Sequence, residues 1–104
     1  MSYRVVLTVE AEADLLRLFD FLVEQALAND DDVDIADQAV NAIRAALLAL
    51  ERFPFSCRKV EAGPFLRELV IPFGHTGYVA LFEIVDPTTV VVGAVRHQRE
   101  DDYH

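Results

Sequence analysis

A chain of 104 residues, 53% hydrophobic and with only four Gly and four Pro, is long enough to bury one core and reads as a single domain over 1–104, with long disorder excluded. Eighteen acids against nine bases give a net charge of −9, which repels phosphate backbones and disfavours broad nucleic-acid binding. Cys57 is the sole cysteine, so an internal disulfide and a cysteine-based metal cluster are excluded; without a leader-like start or an apolar run of bilayer length, the expectation is a soluble, cytoplasmic protein.

"YRVVLTV" (3–9) is short and β-branched, and predicts a strand. Thr8 is placed to cap a helix, with Glu10, Glu12 and Asp14 where the positive end of the helix dipole favours them. Leu15, Leu18, Phe19, Leu22 and Ala26 then recur at helical spacing and carry that helix to about Ala28. "NDDDVD" (29–34) breaks it, and Asp32 or Asp34 can cap a second helix. Its apolar stripe is Ile35, Ala39, Ile43, Ala46, Leu47 and Leu50, and Phe53-Pro54 ends it.

The period then changes. Residues 54–64 predict a loop that can hold a short edge strand, "FLRELVI" (65–71) a strand, and "PFGHTG" a turn. "YVALFEIV" (78–85) is apolar on both faces, as a central strand is, and "DPTT" turns the chain into a last strand, "VVVGAV" (90–95). The order is β-α-α-β-β-β, an α+β domain with a helical hairpin on one face of a small, mostly antiparallel sheet.

Charge is unevenly spread. Residues 1–52 hold four bases against eleven acids, residues 53–104 five against seven. Arg58, Lys59, Arg67, Arg96 and Arg99, with His97, make up the bases of the second half. The planar fork of arginine suits a phosphate or a carboxylate. The plain alternative is that these arginines pair with Glu68, Glu83, Glu100 or Asp101 as surface ion pairs of small energetic weight. Arg96 and His97 are strand neighbours and point to opposite faces; if Arg96 takes the open side, His97 turns to the helices as a hydrogen-bonded structural residue. The aspartates at 30–34 lack the glycine and distal glutamate of a calcium loop, and Cys57 has no paired histidine to activate it. No metal or cofactor is called for.

The pieces "YRVVLTVEAEADLLRLFDFL", "RELVI", "YVALFEI" and "VVVGAVRHQRE", in that order, resemble the RelE/ParE superfamily of toxins from type II toxin–antitoxin modules. "VRHQRE" is similar to the ParE side in particular. The resemblance implies a toxin that poisons DNA gyrase by stoichiometric binding, or alternatively an mRNA endonuclease acting on translating ribosomes. It implies neutralisation by a cognate antitoxin, with a homodimer or a toxin–antitoxin heterotetramer as possible assemblies. A degenerate, non-toxic interaction module is a third reading. For the binding toxin, Arg58, Arg67, Arg96 and Arg99 would contact target or antitoxin, with Arg67 and Arg96 both placed on the face away from the helices. For the nuclease, Arg67, His97 and Tyr103 would serve the scissile phosphate, against which stand a single lysine and the acids beside Tyr103.

Overall fold

The computed structural model describes residues 2–61 and 63–98. Its elements are β1 (Arg4–Leu7), α1 (Val9–Ala28), α2 (Asp34–Leu48), β2 (Arg58–Lys59), β3 (Leu66–Phe73), β4 (Thr76–Asp86) and β5 (Thr89–His97). Two 3₁₀ turns, Ala49–Glu51 and Pro54–Ser56, lie between α2 and β2. The strands form one sheet in the order β1-β5-β4-β3-β2, antiparallel except where β1 runs parallel to β5. Both helices lie on one face.

Thr8 caps α1 as its position in the sequence leads one to expect, its Oγ1 accepting from the Ala11 N–H at 3.1 Å. Such a cap is worth about 1 kcal/mol. Ala11, Leu15, Leu18 and Ala26 are buried along α1, and Ala36, Ala39, Ile43 and Leu47 along α2. They meet Ile71, Tyr78, Ala80, Phe82, Val90, Val92 and Val95 of the sheet. Ile35, expected on the apolar stripe, is 39% exposed, and Ala36 takes the inward place. The expected cap at Asp32 or Asp34 is not formed either, since Val33 is the N-cap with no side-chain cap bond and Asp32 Oδ1 accepts only from the Asp34 N–H at 2.9 Å.

The second helix ends earlier than Phe53-Pro54. It tightens after Leu48 into a 3₁₀ turn, with the Arg52 and Phe53 amides both donating to the Ala49 carbonyl. Pro54 then opens the next 3₁₀ turn, where its missing N–H costs nothing.

Strand β3 also runs past its expected end at Ile71, through Pro72 to Phe73, and the hairpin turn shrinks to Gly74-His75. Gly74 has φ +60°, the region that favours glycine. Proline is tolerated there because of where the edge lies. The Val60 amide donates to the Leu66 carbonyl, so the even residues of β3 turn their backbone groups towards β2. Since β2 stops short of that end, Pro72 faces an unpaired edge and has no N–H to leave unsatisfied. It blunts that edge against strand addition.

One bulge sets the faces of the last strand. Leu81 pairs with Ala94 but Phe82 pairs with Val92, so Gly93 is an extra residue in β5. Val90 and Val92 point inward before it, Val95 and His97 after it. Without the bulge, strict alternation would turn Arg96 into the core.

Candidate functional site

Register and bulge together divide the bases of the second half between the two faces of the sheet. Arg96 stands opposite Val79 on the open face, half-buried at the end of β5. Arg67 stands opposite Phe82, whose ring is 1% exposed in the core, and so lies on the face that carries the helices. The expectation that Arg67 and Arg96 share the open face is therefore not met. Arg67 shares its face with Leu69 and Ile71 two and four residues on, the period of a strand.

The 3₁₀ turn Pro54–Ser56 folds over Arg67 and engages it. Arg67 Nη1 donates to the Cys57 carbonyl at 2.8 Å and the Phe55 carbonyl at 3.3 Å, and the guanidinium carbon lies 5.6 Å from the Phe55 ring centre. Tyr3 closes the edge of the same ring, with centroids 5.9 Å apart. This arginine ties turn to strand. Arg58 projects from β2 with its side chain 77% exposed, and its Nε donates to Glu68 Oε1 at 2.7 Å while Nη2 contacts the same oxygen. The Glu68 side chain is only 12% exposed, so the pair is open to solvent on the Arg58 side alone. Arg99 and Tyr103 lie outside the described residues.

His97 turns to the helix side. Its Nε2 lies 3.1 Å from Thr76 Oγ1, and its ring meets Tyr78 edge-on at 5.5 Å between centroids. Arg67 and His97 are on one face but apart, opposite Phe82 and Tyr78, four residues distant along β4 and on strands either side of it. A guanidinium already bonded to two carbonyls and a histidine bonded to a threonine do not make an acid–base pair around one phosphate. Cys57 is half-buried; burial pushes its thiol above the ordinary value of 9.0, and the Arg67 charge offsets only part of that. It is a poor nucleophile at neutral pH. Among the described residues no group of three or more His, Cys, Asp or Glu is placed to hold a metal.

Two features escaped the sequence. A cleft of about 800 Å³ opens between the C-terminal half of α1 and the β3–β4 hairpin, lined by Phe21, Leu22 and Gln25 on one side and Phe73, Tyr78 and His97 on the other. Its one sequence signal was Phe21, an apolar residue off the buried stripe. The second is a group of exposed phenylalanines around β2: Phe53 at 61%, Phe55 at 62% and Phe65 at 72%. On the outer face of α1, Leu16 and Leu27 are exposed and Val23 is half-buried.

A family model described as the ParE toxin of the type II toxin–antitoxin system parDE matches residues 5–102. Toxin RelE1 of Caulobacter vibrioides is 34% identical over 85 residues, covering 82% of this chain and 83% of the relative. A chain of the chromosomal ParDE toxin–antitoxin system from P. aeruginosa superposes with a TM-score of 0.75 at 18% identity, over 92% of this chain and 96% of that one. At that identity the last likeness speaks for the fold, which is the same two helices on a five-stranded mixed sheet. No helix among the described residues is long and apolar enough to cross a membrane. From the family match along nearly the whole length, the chain belongs to the ParE toxin family of type II toxin–antitoxin systems.

Proposed function

We propose that this toxin arrests growth by stoichiometric binding to DNA gyrase, without nuclease chemistry, and that a cognate antitoxin silences it. The observation that carries the first half is the state of the candidate nuclease residues. Arg67 is spent on two backbone carbonyls and His97 on Thr76, and the chain holds a single lysine. The phosphate-neutralising charge that RNA affinity requires is largely missing. On this reading Arg58 and Arg96 contact the target directly, together with Arg99, while Arg67 holds the turn that presents Phe55. The antitoxin's segment covers the outer face of α1 and the cleft beside it, where Leu16, Phe21 and Leu27 are more exposed than a lone domain favours.

The experiment is induction in a bacterium alongside a supercoiling assay with purified gyrase. The expected result is an early DNA-damage response and supercoiling that stops at a near-equimolar ratio of toxin to gyrase. Site-specific cuts in mRNA at the ribosomal A site, lost in His97→Ala, with supercoiling untouched, would overturn it in favour of the nuclease. The name of the RelE1 relative is what keeps that second reading in play.

A further inference from the structure

The rim of the sheet around β2 combines exposed aromatic rings with a local excess of positive charge. Residues 52–67 hold four bases against one acid in a chain of net charge −9. The same stretch carries Phe53, Phe55 and Phe65, each more than 60% exposed. Phe53 also forms one wall of a cleft of about 360 Å³ whose other wall is Leu69 and Val70 of β3, with the paired Arg58 and Glu68 lining it as well. Lone exposed apolar residues are ordinary, but three phenylalanines this exposed within thirteen residues of chain, one of them walling an apolar cleft, are not.

We propose that this rim is a docking site for an acidic segment of another protein, one that seats a bulky apolar side chain in the Phe53 cleft and sets carboxylates against Arg52, Arg58 and Lys59. Charge complementarity selects the occupant. The rest of the chain holds seventeen acids against five bases, so a second copy or a nucleic acid, each of which extends past this stretch, meets a repulsion that a short acidic segment confined to it avoids. Arg58 is paired with Glu68, whose side chain is only 12% exposed, so a carboxylate of the incoming segment meets the open side of the Arg58 guanidinium beside that pair. Aromatic residues and arginine are the side chains that dominate binding energy at protein interfaces. The site stands whether or not gyrase is the target.

Panning a random dodecapeptide phage library on the folded protein tests this. Recovered peptides should be acidic with one or two Leu, Phe or Trp residues, and should bind more weakly as salt is raised. By fluorescence anisotropy they should lose at least about tenfold in affinity for Phe53→Ser/Phe65→Ser and none for Phe21→Ser, which lies on the other cleft. Both phenylalanines are exposed, so the double variant should keep its circular dichroism. Peptides without acidic excess, binding unchanged in the double variant, or no enrichment at all would overturn the proposal. So would saturable binding of labelled oligouridine lost in the same variant, or a wild-type dimer that the variant abolishes.

Discussion

Arg67 receives its partners from a single turn. The carbonyls of Phe55 and Cys57 and the ring of Phe55 all come from the segment that Pro54 opens, so removing the guanidinium leaves that segment unanchored and two carbonyls without their donor. Arg67→Ala is expected to lower the unfolding free energy by about 1–3 kcal/mol in urea titrations. Arg67→Lys should recover only part of it, because an ammonium cannot bond two carbonyls and lie flat on a ring in one geometry. Arg96→Ala, on the opposite face, should cost the fold less while reducing growth inhibition. If Arg67→Ala is as stable as the parent, the turn is held by other contacts. Alkali tests two further residues. Burial raises Cys57 above its ordinary 9.0 and Tyr78 above its ordinary 10.0. Each folded-state proton is thus held more tightly than in the unfolded chain, a stabilisation fully present below those ordinary values and lost as pH climbs through the raised ones. Between about pH 8 and about pH 11 the melting midpoint should fall, and Tyr78→Phe should remove the upper part of that fall. Asp86 has the opposite sign, held below its ordinary 3.8 by the Thr88 N–H and hydroxyl, so its contribution is lost only in acid.

Elements were readable where a single local signal decided them, and opaque where pairing decided them. Thr8 as cap and Ala28 as end of α1 followed from side-chain chemistry and spacing. The inward course of Val95 and His97 did not, because a bulge at Gly93 resets the alternation, and a glycine in "VVVGAV" says only that something irregular happens there. The passage of β3 through Pro72 depends on knowing that this end of the strand is unpaired. The side of the sheet that Arg67 takes depends on register with β4. Gly77 shows the same dependence. It reads as part of a turn, yet it sits inside β4 opposite Pro72, and a Cβ there would run into the Ile71 carbonyl oxygen, a backbone atom that has nowhere to yield. Gly77→Ala should therefore destabilise by more than about 1 kcal/mol and spread the hairpin. A denaturation midpoint unchanged from the parent would mean that the hairpin shifts freely. Gly93→Ala, with open space around it, is the matched control.

At the scale of the whole molecule, the core is adequate but one side of the hairpin is unfinished. The inner stripe of α1 is filled, with Leu15 and Leu18 nearly inaccessible, whereas Leu16 is 67% and Leu27 68% exposed on the outside. Val23 lies on that outer row, seven residues after Leu16 and four before Leu27, so one face of the helix presents a continuous apolar line. Burying such a row gains about 25 cal/mol for each Å² removed from water before the entropy cost of association is met, and one helix of another chain could cover it over several turns. The proposed antitoxin is that partner. Leu16→Glu and Leu27→Glu leave the inner stripe untouched, so the free toxin should keep its fold and become more soluble. Its affinity for the cognate antitoxin, followed by calorimetry, should fall about thirtyfold for each change, as at an interface hot spot. Growth arrest should then survive co-expression of an antitoxin that silences the parent. An unchanged affinity in both variants, with a toxin that stays monomeric when concentrated, would mean that the outer row of α1 is solvated in the cell and that the antitoxin grips the molecule elsewhere.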